Sequence, residues 1–157
     1  MRAFLTKSST LWILFMLFVL ETIAFGVIMY IWDFHVIDEM SNPDAIRQHI
    51  EEMSTLQRQV HAWTTATLDV AYPLTYGPLF AGLALRSLRP LYALPAVTVI
   101  PVDLIEGAVQ VLALTGTQDL IWLKAYVTPT KLVLFIAAMA IAGIALFLHI
   151  RRRKTDT

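Results

Sequence analysis

The sequence predicts an all-α polytopic membrane protein, a bundle of four transmembrane helices with an interfacial amphipathic helix between spans one and two, forming a single domain over 1–157. Three observations predict it. The 157 residues are 57% apolar, with no net formal charge and a mean hydropathy of +0.65, a composition of the membrane class. Four windows, about 10–32, 63–85, 91–114 and 132–150, each reach the roughly 20 apolar residues that cross a bilayer as a helix. Basic residues alternate between the connecting segments as four crossings require. Arg2, Lys7, Arg86, Arg89 and Arg151 to Lys154 fall on one side, and Arg47, Arg58, Lys124 and Lys131 on the other. The richer side is expected to be cytoplasmic, with both termini on it, in a multi-pass protein of a bacterial-type plasma membrane.

The first window resembles a secretory signal in having Arg2 and Lys7 before an apolar run. Glu21 interrupts the approach to any cleavage site, and the run continues through Trp32, so a span is expected instead. From 43 to about 60 the chain is expected to lie on the outer face as one amphipathic helix. Asn42-Pro43-Asp44 supplies a cap, a first-turn proline and an acid, and Ile46, Ile50, Met53, Leu56 and Val60 share a face. His35 and His49 are expected to be solvated. Span two holds Pro73 and Pro78, and Pro73 withholds the amide that would bond the Asp69 carbonyl. The turn 86–90 is too short for anything but antiparallel spans two and three. Gly116 ends span three, and Trp122, Lys124 and Tyr126 read as interfacial. Span four carries a small-residue face, Ala138, Ala142 and Gly143, suited to packing within the bundle, to a second copy or to a membrane partner.

Chemistry is expected where acids interrupt the apolar windows. Asp69, Tyr72 and Tyr76 recur at i, i+3, i+7 on span two, and Asp103, Glu106 and Gln110 repeat that spacing on span three, giving each helix one polar stripe. His61 extends the first stripe by two turns and is a candidate proton relay. Glu21, in span one, is expected at similar depth. An intramembrane charge costs roughly 2.5–3.5 kcal/mol on insertion scales. Because no Lys or Arg falls inside the four windows, these carboxyls are expected to be neutral, hydrogen-bonded to one another or bound to a ligand. The ligand and proton site expected from sequence is therefore Asp69, Asp103, Glu106, Glu21, Tyr72, Tyr76 and Gln110.

Several classes fall away. There is no cysteine, hence no disulfide or thiol chemistry. No phosphate-binding glycine loop, nucleic-acid motif or internal repeat is present. Asp103 and Glu106 could share an all-oxygen ion, but the Glu-x-x-His signature of di-iron bundles is missing, so neither metal nor cofactor is expected. The reading that remains is a small membrane protein with a carboxyl and tyrosine pocket towards the outer leaflet. It would bind or carry a hydrophobic ligand, neutral or cationic, with proton coupling. The alternatives are a membrane enzyme performing acid–base chemistry on a lipid or isoprenoid, and an assembly subunit whose acids bond internally.

Overall fold

The computed structural model describes residues 2–33 and 37–155, which are helical for most of their length, with no strand among the described residues. The expectation for His35 lies outside the described residues. A short α1 (Arg2–Leu5) leads into α2 (Ser8–Trp32), which ends at Asp33 in the left-handed conformation, φ 46°, one that Asp tolerates better than most residues. Asn42 then caps α3 (Pro43–Glu52) by accepting from the amides of Asp44 and Ala45.

The segment 43–60 is not one helix. Ser54 and Gln57 form a capping box that stops α3 and starts α4 (Thr55–Thr64), so the expected apolar face is divided. Ile46 and Met53 are buried while Leu56 is exposed. Gln57 also donates to the carbonyl of Asp33 at 2.9 Å, fastening the end of α2 to the start of α4. His49 is half-buried rather than solvated.

From α4 the chain widens into a π-helical turn, Thr65–Asp69, and continues as α5 (Val70–Ser87). The wide turn stands just before Pro73, where the regular hydrogen-bond ladder would have lost its donor in any case. After a 3-10 turn at Pro90–Ala93, α6 runs from Leu94 to Leu114. It closes with a Schellman motif in which Thr117 N–H bonds the Leu112 carbonyl and Gly116 N–H bonds that of Ala113, with Gly116 at φ 67°. A further 3-10 turn, Ile121–Leu123, introduces α7 (Lys124–Thr155), which begins eight residues before the expected span at 132.

Three helical stretches, Ser8–Trp32, Pro90–Leu114 and Ile121–Arg152, are long and apolar enough to cross a membrane. Their large apolar side chains face outward, among them Trp12, Ile13 and Leu20 on α2 and Val133, Ile136 and Phe147 on α7, the reverse of a water-soluble surface. The long helix α5 is more polar, with two tyrosines and two prolines, and it is the helix the others surround. It packs against α1, α2, α6 and α7, so it need not satisfy lipid on its own account.

The buried residues fall into three layers along the bundle. An inner apolar layer joins Tyr76, Phe80, Ala84, Val99, Ala138 and Ala142. An outer one joins Ile37, Ile46, Met53, Val109, Leu114 and Ile121. Between them lie Asp69, Asp103, Glu106, Lys124 and Thr128, all buried. The small residues of α7 therefore do not form one external face, since Ala138 and Ala142 pack inward while Gly143 is exposed.

Close approach at the inner end depends on Gly82. A Cβ there would lie 2.6 Å from the Leu5 carbonyl oxygen and 2.8 Å from Leu11 Cδ2, and a backbone oxygen cannot swing aside. Gly82→Ala is expected to destabilise the protein by about 1–3 kcal/mol despite its better helix propensity. Unfolding in detergent micelles checks this, and an unchanged or raised midpoint would show that α1 does not pack as described.

Candidate functional site

The two sequence stripes converge, and a third joins them. Lys124, Thr128 and Lys131 recur at i, i+4, i+7 on α7, and this row meets the Asp103, Glu106, Gln110 row of α6. Lys124 Nζ lies 2.6 Å from Glu106 Oε1, with both side chains inaccessible to solvent. Thr128 donates to the same oxygen. Lys131 pairs with the other Glu106 oxygen and lies 3.2 Å from Asp103 Oδ1 and 3.7 Å from Asp38 Oδ1. Tyr76 donates to Asp103 Oδ2 at 2.6 Å.

The expectation that salt bridges could not neutralise these acids is thus corrected. The lysines sit at the head of α7, where the interfacial pattern of Trp122 and Tyr126 assigned them to a loop. The helix instead begins at Lys124 and carries both inward. The signal that could have revealed them is the spacing itself: 124, 128, 131, 135, 138, 142 and 145 alternate by four and three along one face of α7, continuing into the packed Phe135 and alanines.

Asp38 was also missed. It belongs to the linker between α2 and α3, whose 3-10 turn Ile37–Glu39 folds back so that Ile37 is fully buried in the outer layer. Gln110 donates to the Asp38 carboxylate, so Gln110 anchors the linker and is not among the residues that line the cavity described below. Burial pushes Asp38 up, but Lys131, Gln110, Lys124 and His61 outweigh it and hold the group below the ordinary Asp value.

His61 is 1% exposed and lies behind the cluster, near Asp38 and Lys124. Desolvation lowers its pKa from 6.5 to about 4, against the pull of Asp38, with His49 and Lys124 adding to the lowering. Glu21 stands apart. It accepts from Thr75 at 3.0 Å on the α2–α5 contact and does not line the cavity. Its neighbour Thr22 bonds Tyr72 Oη at 3.1 Å and gives its own proton to the Phe18 carbonyl, which leaves the tyrosine as donor.

The polar layer opens on one side into a cavity of about 500 Å³. It lies between α2, represented by Thr22, Phe25 and Met29, and α7, represented by Thr128, Lys131, Leu132 and Phe135, with α5 and α6 behind. Asp38, Asp69 and Asp103 reach it, beside Tyr72 and Tyr76. The two tyrosine rings meet edge to face, and Phe25 and Phe135 pack edge-on against them with centroids 5.6 and 5.0 Å away. Among the described residues Asp69 has no hydrogen bond or ion pair, although Asp38, Asp103 and Glu106 all have one. The space for it comes from Gly107 on α6, whose Cβ would lie 3.3 Å from Asp69 Oδ2. Four carboxyls here face two ammonium groups.

Comparison with known protein families, curated proteins and solved structures gives no match. Among the described residues no three His, Asp or Glu side chains are placed to hold a metal ion. What the arrangement offers chemically is one unpartnered carboxyl, a second held by a lysine and a phenol, and aromatic walls.

Two expectations follow. Lys124→Met leaves one Glu106 oxygen with Thr128 as its sole donor while Lys131 still holds the other, and should cost about 3 kcal/mol, the low end for breaking a buried pair. Combining it with Glu106→Gln should cost clearly less than the sum of the two single variants in micellar unfolding; strict additivity would mean the pair is not coupled.

His61 is neutral in the folded protein and titrates near 6.5 once unfolded, so only the unfolded state gains a proton between those values. Stability should fall as pH drops from 6.5 towards 4, by at most roughly 3 kcal/mol from this group. His61→Gln should flatten that stretch of the stability profile, and an identical slope in the variant would assign it elsewhere.

Proposed function

We propose that the chain is a four-span membrane protein whose cavity binds a hydrophobic ligand bearing a cationic group, as a carrier or a component of a transport system, with binding linked to the proton on Asp69. The observation that carries the reading is the position of Asp69, which faces an aromatic-walled cavity with no partner, while the neighbouring acids are engaged. A carboxylate beside ring faces is the chemistry that recognises an organic cation, and a proton is its natural competitor. Phe25, Met29, Leu132 and Phe135 suit an apolar body.

In this reading Asp69, Asp103, Tyr72 and Tyr76 contact the ligand, Lys131 sets the charge of the site, and Glu106 serves as scaffold. The cleft lies in the half of the bundle that holds the α2 carboxyl end, and the charge asymmetry favours an outward position for that half. Pairing Lys124 and Lys131 internally leaves Arg47 and Arg58 as the basic residues of that side, and Arg47 is itself bonded to Asp44 and Asp119. That sharpens the bias for cytoplasmic termini.

A second reading, acid–base chemistry on a lipid or isoprenoid, is favoured by one specific feature. Two of the three carboxyls that line the cavity have different partners, Asp69 none and Asp103 Lys131 and Tyr76, as a proton donor and an acceptor would require.

Tetraphenylphosphonium tests the first reading, because it is lipophilic and has no proton of its own, so any pH dependence belongs to the protein. Purified protein in neutral micelles should bind it more tightly as pH rises from 5 to 8. Asp69→Asn keeps the shape of the side chain and should weaken binding by about tenfold or more and remove the pH dependence, with the unfolding midpoint kept. Equal binding by the variant would overturn the reading. Turnover of an added lipid extract that disappears in Asp69→Asn while affinity persists would select the enzyme instead.

A further inference from the structure

The far end of the bundle holds a second cavity, of about 340 Å³, between α2, α5 and α7. Its polar residues are Ser8, Arg86 and His149, and its walls include Leu11, Phe15, Leu83 and Leu146. Arg86 is half-buried and donates to Ser8 Oγ at 2.8 Å. Among the described residues no carboxylate pairs with it. The sequence makes this more than a local accident. No Asp or Glu occurs in 1–20, 70–102 or 120–155, the stretches that build this end, while Lys7, Arg86, Arg89, Arg151 and Arg152 all belong to it. Among the described residues this end has no anion of its own to offer. Arg86 lies in the last turn of α5, where the helix dipole favours a cation, but that partial charge is available to any last-turn cation and does not fill the guanidinium donors beyond the one given to Ser8.

We propose that this cavity holds one anionic phospholipid, its phosphate on Arg86 and Ser8 and its first acyl carbons along Leu11, Phe15, Leu83 and Leu146. The shape of the site selects a lipid over a free anion. Trp12, Phe15 and Leu146 at its mouth are 62, 43 and 44% exposed, on helices apolar enough to cross a membrane, so the cavity is reached from the acyl side and not from water. A free phosphate would leave those walls uncovered. A basic pocket between membrane helices at the headgroup level is the setting in which anionic lipids are held. The site lies at the opposite end of α5 from Asp69 and does not depend on what the first cavity binds.

Native mass spectrometry of the full chain in neutral micelles, titrated with phosphatidylglycerol and phosphatidylcholine, tests the proposal. One phosphatidylglycerol should be retained with about tenfold preference over phosphatidylcholine. Arg86→Gln should reduce the preference to within about twofold, and Arg86→Lys should restore part of it. The Arg151→Gln/Arg152→Gln double variant should keep it. Leu83→Trp fills the cavity without touching the charge and should also lose the lipid, which decides the matter if Arg86→Gln fails to fold. A preference that survives both Arg86→Gln and Leu83→Trp, or that vanishes with the two tail arginines alone, overturns the cavity assignment. Displacement of the lipid by millimolar inorganic phosphate would overturn the lipid as occupant.

Discussion

The architecture depends on one buried interaction, the Glu106 carboxylate held between Lys124 and Lys131. None of these charges could sit among helices alone, because the desolvation of each would far exceed any packing it allowed. Together they set the relative height of α6 and α7, since the antiparallel helices meet at full register only where the three side chains coincide. Once that register is set, Val109 and Leu114 face Ile121 on one side of the polar layer, and Val99 and Ala96 share the other side with Ala138 and Ala142. Thr128 uses the remaining acceptor capacity of Glu106, so the pairing is closed by hydrogen bonds as well as by charge.

The same pairing explains why the linker between α2 and α3 is drawn inward. Lys131 faces more acceptors than Glu106 provides, and Asp38 and Asp103 approach it from two other elements. The linker can reach because Ile37 fills a place in the outer apolar layer and Gln110 holds the carboxylate of the next residue. Burial of Ile37 and bonding of Asp38 thus support each other, and neither would hold the turn at Ile37–Glu39 by itself. Asp69 is what remains when the lysines have been taken up. It ends the π-helical turn, rests against the bare Cα of Gly107 and faces open space. A polar layer with more carboxyls than ammonium groups, open on one side, has the capacity for a further cation or proton.

Helix α2 has a different relation to the bundle. It meets α5 through Phe18, which stacks on Tyr72 at 5.2 Å, through the Thr22–Tyr72 and Glu21–Thr75 hydrogen bonds, and at its inner end through Leu11. The rest of its surface is apolar and exposed. Its wall of the cavity is therefore the one least tied to the other helices, whereas α6 and α7 are joined through the ion pairs, and α5 joins them through the Tyr76–Asp103 hydrogen bond and the inner apolar layer. That asymmetry follows from composition. Glu21 is the one acidic or basic residue among the 25 of α2, too few to be locked into the shared cluster.

Much of this was legible in the residues themselves. The long apolar runs, the proline and asparagine cap at Asn42, the glycine stop at Gly116 and the polar stripes on α5 and α6 are local or periodic features, and a helix turns a fixed spacing into a fixed face. Those stripes were sufficient to bring Asp69, Asp103 and Glu106 to one layer, with Tyr72 and Tyr76 beside it. Three things only the tertiary structure decided. Lys124 and Lys131 read as loop residues because a charge beside interfacial aromatics is ordinarily solvated, and only the α6 acids at the same height make burial favourable. Asp38 carries no local signal at all, since its place depends on a linker folding over helices distant in sequence. Glu21 shares the depth of the cluster but not its face, because depth is set by position along one helix and facing by the rotation of that helix against its neighbours, which no single stretch of sequence contains.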